Sequence, residues 1–267
     1  IRDKHVTGVQ TCALPILSDR ALARALEGSS SPEATTAMID LLKTSTRQDI
    51  VEPLARGLSR NGNSETVGAL LDLLESSPNP EQRRAIARAL EETNRNALPQ
   101  DRLLDLISRE NDSEIARNLG RSLERLYPNF VEEHGESLFQ DAESGPERVA
   151  YARMLSRHGG ERAVGTIADQ LAREPDRQSA AEMAHMLGRS DEGIRRAGSI
   201  ISQTPVHQGE NRHSIMWGLH SGSSSENPAA RNLFLQIAGS DPSPHMRSQA
   251  AERSEEHTSE LQSRAYL

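Results

Sequence analysis

The 267-residue chain has a single cysteine, Cys12, and aromatic residues make up only 3% of it. One cysteine cannot form an intramolecular disulfide or a cysteine-based metal site, so neither kind of cross-link is available to this fold. Because a chain with so little cysteine suits oxidising and reducing compartments alike, its localisation stays open. The sequence also lacks an apolar run long enough to span a bilayer, and no membrane association is expected.

Catalytic signatures are missing as well. The sequence contains no nucleophile elbow, phosphate loop, HExxH helix or dinucleotide-binding fingerprint. Its many serines lie mainly in turn-like stretches such as residues 221–225, which are typical of linkers. We therefore expect a protein that is not an enzyme and that uses neither a cofactor nor a metal ion.

The two ends of the chain are related at the level of DNA. Residues 6–16 read VTGVQTCALPI, and a DNA that encodes them has a reverse complement encoding RSEEHTSELQS, which is residues 253–263. This DNA is similar to a sequencing adapter. We interpret residues 1–16 and 253–267 as translated adapter and residues 17–252 as a fragment of a longer protein. The formal charge of −8 then belongs to residues 17–252, since the two ends carry +1 and −1.

Apolar residues recur along the chain with a period of about 32 residues. The first series consists of leucines spaced by 32 or 33 residues: Leu26, Leu58, Leu90, Leu123, Leu155, Leu187 and Leu219. The second series lies half a period away and is interrupted at Gln203: Leu42, Leu74, Ile107, Phe139, Leu171 and Leu235. Because the apolar neighbours within each series follow helical spacing, every period holds two amphipathic helices.

Turn-forming residues separate the apolar stretches. Ser31-Pro32, Asn79-Pro80 and Gly145-Pro146 place N-cap residues or first-turn prolines directly after helix stops. No segment shows the two-residue alternation of a β-strand. A single helix pair of this length cannot bury its apolar face, so the pairs must stack. The sequence predicts an all-α fold, a right-handed α-solenoid of about seven stacked helix pairs with a period of about 32 residues.

Two segments carry a family resemblance. EQRRAIARAL (residues 81–90) and PERVAYARML (residues 146–155) resemble HEAT-type repeats of the short bacterial kind, and the resemblance extends over nearly all of residues 17–252. Tetratricopeptide repeats have a similar length, but their tryptophan, glycine and tyrosine positions have no consistent counterpart here. The resemblance implies a protein-interaction scaffold that uses its concave surface. The alternative is a repeat region appended to a larger bacterial enzyme whose catalytic domain is absent from this chain.

A further periodic series lies two residues before the leucines. It consists of Arg24, Arg56, Arg88, Arg121 and Arg153, followed by His185 and Trp217. Two residues correspond to a turn of about 200° around a helix, so these side chains point away from the leucines. In HEAT-like proteins these second helices line the concave face, where the planar arginine fork suits carboxylates. Alternatively, each arginine pairs with a glutamate of its own or the next repeat and keeps the face soluble.

The first helices carry a matching acidic series, which would lie on the convex face: Asp40, Asp72, Asp105, Ser137 and Asp169. The expected partner of the arginine series is a protein or an acidic peptide segment. Nucleic acid is disfavoured, because the chain is acidic and lacks both lysine clusters and many aromatics. Helix pairs without natural caps at the two ends are expected to favour self-association.

One group of histidines suggests a metal site. His213, Trp217 and His220 fall on one predicted helix face, with His207 shortly before them. Two imidazoles within two turns can share a metal ion. Because no cysteine or well-spaced carboxylate completes the set, the sequence favours an ordinary packed helix face, and no metal ligand is assigned.

Overall fold

The computed structural model describes residues 14–224 and 226–265, and it describes side chains for residues 19–224 and 226–254. Within this part of the chain there are fifteen α-helices, one 3-10 turn and no β-strand. The predicted all-α class is therefore confirmed. The chain divides into two compact units, one of residues 1–109 and 118–128 and the other of residues 110–117 and 129–267.

The helices follow one another with short connections. Unit 1 contains α1 (Leu14–Glu27), α2 (Pro32–Thr44), α3 (Gln48–Asn61), α4 (Ser64–Ser76), α5 (Pro80–Leu90) and α6 (Gln100–Arg109). Helix α7 (Ser113–Leu126) is divided between the two units. Unit 2 contains α8 (Pro128–Asp141), α9 (Gly145–His158), α10 (Gly160–Leu171), α11 (Arg177–Leu187), α12 (Asp191–Gln203), the 3-10 turn (Val206–Gln208), α13 (Gly209–Gly222), α14 (Pro228–Ser240) and α15 (Pro244–Ala265). None of the described helices combines the length and apolar character needed to cross a bilayer.

Helices begin where the turn chemistry predicts. The side chain of Ser31 accepts a hydrogen bond from the amide of Ala34, with a proline in the first turn of α2. Asn79 caps α5 in the same way, and its side chain accepts from two amides. At α9, Ser144 and Glu147 form a reciprocal capping box. These contacts satisfy amides that the first turn of a helix leaves without partners.

Odd- and even-numbered helices pack in two separate rows. In unit 1, α1, α3 and α5 contact one another in sequence, and α2 contacts α4. In unit 2 the same order holds for α9, α11, α13 and α15 and for α10, α12 and α14. Each unit is thus a stack of helix pairs, in which the odd-numbered helices are the second helices of the sequence repeat.

The leucine series forms the core of the second helices. Six of its seven members are at most 9% exposed, and only Leu26, in the first repeat, is partly open to solvent. The first-helix series is buried from Leu42 to Leu171, but the prediction for its last member, Leu235, is wrong. Leu235 is 49% exposed and Phe234 is the buried residue, at 0%. A shift of one residue turns a side chain by about 100°, so a fixed period that misses the phase of α14 by one selects the wrong face.

The contact between α11 and α13 depends on two glycines. A Cβ atom on Gly218 would collide with the carbonyl oxygen of Ala181, and one on Gly222 would collide with the carbonyl oxygen of His185. The two helices therefore approach until their backbones touch. Because the glycines lie four residues apart on one face of α13, their spacing in the sequence is a signal that the leucine series does not contain.

A buried ion pair joins α13 to the end of α14. Arg212, 1% exposed, pairs with the carboxylate of Asp241, and its Nε donates to the carbonyl oxygen of Ile201 at 3.0 Å. Asp241 also accepts from the amide of Ser243 at 2.8 Å. Buried charges of this kind require partners that satisfy them. The sequence alone does not single out either residue.

Candidate protein-binding face

The predicted site residues lie one on each odd-numbered helix from α1 to α13, and we call the outward side of these helices, within each unit, the second-helix face. Its members are Arg24, Arg56, Arg88 and Arg121 in unit 1, and Arg153, His185 and Trp217 in unit 2. All seven side chains are at least partly exposed, whereas the leucines two positions later are buried from the second repeat onward. The orientation inferred from the 200° rotation is thus observed.

In unit 1, Arg56 is surrounded by carboxylates. Arg56 lies 2.9 Å from Glu52 on its own helix and 3.4 Å from both Glu27 and Glu92 on the neighbouring second helices. Arg60 contacts the same two neighbours, at 3.5 Å from Glu27 and 2.6 Å from Glu92. These ion pairs link α1, α3 and α5. They also mean that an incoming carboxylate must compete with those already present.

The other arginines of unit 1 differ in their surroundings. Arg121 lies 3.4 Å from Glu91 of the preceding second helix. Arg24 is exposed on α1, and Arg88 is partly buried on α5. Pairing between repeats is therefore strongest around Arg56 and weaker at the two ends of the unit.

Unit 2 has a different balance of charge. The carboxylate of Glu182 on α11 contacts two arginines, Arg153 at 2.8 Å and Arg117 at 3.3 Å. His185, one turn later, makes a contact of 3.2 Å between its Nδ1 and the hydroxyl of Ser221 on α13. Burial lowers the pKa of His185, and Arg189 and Arg153 lower it further against the opposing effect of Glu182. His185 therefore resists protonation in an environment that is already positive.

Trp217 is the most exposed of the large apolar side chains described, at 51%. It lies on α13 between Met216 and Gly218, which are both buried against the core. An indole on the surface of a helix whose neighbours are buried is a common feature of protein-binding sites.

The histidines on α13 are not brought together. His213 lies beside His245 of α15, with ring centroids 5.4 Å apart. His220 faces Phe234 of α14 edge-on at 5.9 Å. Among the described residues, no three histidine, cysteine, aspartate or glutamate side chains are close enough to hold a metal ion. His207, the third histidine of the predicted group, is exposed in the 3-10 turn. His5, His257 and Cys12 lie outside the residues whose side chains are described.

The acidic series of the first helices lies on the outer surface of its helices. Asp40, Asp72 and Asp169 are exposed, and Asp105 is paired within its own helix with Arg109 at 2.6 Å. A cavity of 640 Å³ also opens between α12 and α14, with apolar walls from Ile194 and Leu233. This cavity lies between first helices and does not belong to the second-helix face.

Comparisons with known proteins give weak structural likenesses. No family model and no curated protein matches the chain. Human deoxyhypusine hydroxylase is similar at 15% identity, covering 92% of this chain and 99% of that one, with a TM-score of 0.37. The complex of CpcE and CpcF of phycocyanin lyase from Nostoc is similar at 15% identity, covering 87% and 91%, with a TM-score of 0.38. A computationally designed cyclic homo-oligomer shares 12% identity over 92% and 90%, with a TM-score of 0.16.

Because familiar catalytic motifs are missing, the sequence predicts that the chain is not an enzyme. That prediction is wrong. Two of the similar structures are, by their names, a hydroxylase and part of a lyase. The absence of familiar catalytic motifs therefore does not exclude an enzyme. Similarities at TM-scores below 0.5 also assign it no reaction. A function for this chain therefore has to be inferred from its own surface residues.

Proposed function

We propose that this chain binds another protein through the second-helix face, and that the bound segment is acidic. The helix stacks resemble HEAT-type repeats, whose second helices form a shared surface. The observation that carries the proposal is that Arg24, Arg56, Arg121 and Trp217 are at least partly exposed, whereas the leucines two positions later are buried from the second repeat onward. Arginine offers two parallel donors to a carboxylate, and a row of such residues suits an extended acidic segment.

The proposal is tested by selecting ligands from a random peptide library displayed on phage. The unaltered chain is expected to enrich peptides rich in aspartate and glutamate. The triple variant Arg56→Glu, Arg88→Glu and Arg121→Glu is expected to lose this enrichment, because it turns three donor groups into like charges. Circular dichroism of the variant must show unchanged helicity for the result to count.

The matched control reverses three arginines on the first helices, Arg102→Glu, Arg109→Glu and Arg162→Glu, which lie outside the second-helix face and change the net charge by the same amount. The control is expected to enrich the same acidic peptides as the unaltered chain. Equal losses in both variants would show that net charge alone attracts the peptides. Retained enrichment in the triple variant would show that the arginines serve only to pair with neighbouring glutamates, and would overturn the proposal.

We also propose that residues 17–252 are the functional repeat domain and that residues 1–16 and 253–267 derive from adapter DNA. The complementarity of the two coding segments supports this origin. Helix α15 continues from Pro244 to Ala265 and so crosses position 253, where the proposed adapter segment begins. Sequencing the gene from its source tests the proposal. A source gene that itself encodes residues 1–16 and 253–267 would contradict it.

A further inference from the structure

We propose that the unit 2 part of the second-helix face anchors an acidic peptide segment, with an apolar side chain of the segment packed on Trp217. The anchoring surface, which we call the Trp217 patch, consists of Trp217, His185, Arg189 and Arg153. The inference rests on the proposed function and narrows it, because it adds an anchoring contact in unit 2 to the contacts that the acidic segment makes with the arginines of unit 1.

The indole supplies the apolar part of the patch. Trp217 is 51% exposed although it lies within α13, where the flanking Met216 and Gly218 are buried. Burying an aromatic side chain of this size removes a large apolar area from water. Tryptophan and arginine are the residue types that most often dominate binding energy at protein interfaces. An exposed tryptophan on α13, which packs against the helix that carries His185, therefore suits an anchoring contact.

The patch is held in place by the backbone contact beneath it. Gly218 follows Trp217 directly and packs on Ala181, and Gly222 packs on the backbone of His185 itself. The hydrogen bond between His185 and Ser221, at 3.2 Å, links the same two helices at the surface. Because α11 and α13 cannot slide without a clash or a loss of contact, His185 and Trp217 keep a fixed spacing. A preformed surface loses little entropy on binding.

Charge selects an acidic ligand for this patch. Glu182 contacts both Arg153 and Arg117, at 2.8 and 3.3 Å. Arg189 is exposed, and no carboxylate lies within ion-pair distance of it among the described residues. The patch thus has an excess of positive charge on a chain whose formal charge is −8. Arg56 in unit 1 already contacts three carboxylates. A ligand carboxylate gains more at Arg189, where it displaces only water.

The test uses the complete chain and a fluorescein-labelled peptide, acetyl-GLEELEG-amide, with binding followed by anisotropy. The chain has one tryptophan, so the emission of Trp217 reports contact at the patch in the same titration with unlabelled peptide. We expect saturable binding together with a change in Trp217 emission. The variants Trp217→Leu and Arg189→Gln should each weaken binding by about tenfold, as expected for residues that dominate an interface. The unaltered chain should bind the uncharged peptide acetyl-GLQQLQG-amide no more tightly than the two variants bind the acidic peptide.

Two control variants match the substituted residues in exposure and type. Leu235→Ala removes an equally exposed apolar side chain from α14, and Arg162→Gln removes an exposed charge from α10. Both should bind the acidic peptide as the unaltered chain does. Equal binding of the two peptides, or an equal loss in the controls, would overturn the inference. Displacement of the peptide by oligo(dT) that depends on Arg189 would assign the patch to nucleic acid. Self-association that Trp217→Leu abolishes would assign the patch to a second copy of the chain. Either result would also overturn the inference.

The outcome separates this inference from the proposed function. Saturable binding that neither Trp217→Leu nor Arg189→Gln weakens would place the acidic ligand elsewhere on the second-helix face, so the patch would fail and the proposed function would stand. No saturable binding at peptide concentrations up to about 1 mM, which corresponds to about 4 kcal/mol of binding energy, would count against both.

Discussion

The buried ion pair between Arg212 and Asp241 gives a sharp test of how unit 2 is held together. Replacing Arg212 with methionine leaves the Asp241 carboxylate buried with only the amide of Ser243 as a donor, and it leaves the carbonyl oxygen of Ile201 without the guanidinium. Removing one partner of a buried pair typically costs about 3–5 kcal/mol, because the remaining charge is uncompensated. We expect a loss in the free energy of unfolding of this size for Arg212→Met.

Urea denaturation measures this loss, with two probes that report different parts of the chain. The emission of Trp217 follows unit 2, and circular dichroism follows all helices. With a urea dependence of about 1–3 kcal/mol per molar, the midpoint followed by Trp217 should fall by one to several molar. The double variant Arg212→Met and Asp241→Asn should lose less than the sum of the two single losses, since it leaves no unpaired charge. A loss below about 1 kcal/mol for Arg212→Met would show that the pair is open to solvent and would refute the argument.

Three further predictions concern other contacts of the fold. Gly222→Ala should destabilise unit 2 by about 1–3 kcal/mol in the same urea assay, because the added Cβ has no room against α11. The control Gly239→Ala on α14 should be neutral or stabilising, since its Cβ meets no neighbour. Equal effects of the two substitutions would contradict the close approach of α11 and α13. Burial, together with the nearby His245 and Arg253, lowers the pKa of His213, so stability is full above about pH 6.5 and is lost as the pH falls through the lowered pKa. Urea midpoints between about pH 8 and 5 should show this loss, and His213→Gln should reduce it. Ser144→Ala should cost about 0.5–2 kcal/mol through loss of the capping box, and a loss that Ser137→Ala matches would contradict the capping role.

Much of the fold could be predicted from the sequence because its repeats are local. Apolar spacing predicts the helices, and prolines and capping residues such as Ser31 and Asn79 predict where they begin. The period predicts which residues stack, and it holds as long as each repeat keeps the same length. It fails at Leu235, where a shift of one residue exchanges the buried and exposed faces of α14. Local spacing fixes a helix more securely than it fixes the rotation of that helix.

The candidate site could be predicted only in outline. A position two residues before a buried leucine must point outward, so the second-helix face follows from helical geometry. The partners of its arginines do not follow, because the contacts of Arg56 with Glu27 and Glu92 cross between helices about 30 residues apart in the sequence. For the same reason the sequence does not show that Arg189 lacks a carboxylate or that Glu182 serves two arginines.

The most direct measurement of the central account is a map of where an acidic ligand touches the chain. An acidic peptide from the phage selection, carrying a photoreactive group, can be cross-linked to the complete chain and the modified residues identified by mass spectrometry. If the second-helix face binds the peptide, we expect cross-links on the odd-numbered helices α3 to α13, concentrated on α11 and α13 around Trp217. Cross-links confined to the even-numbered helices, or to the two ends of the chain, would contradict it.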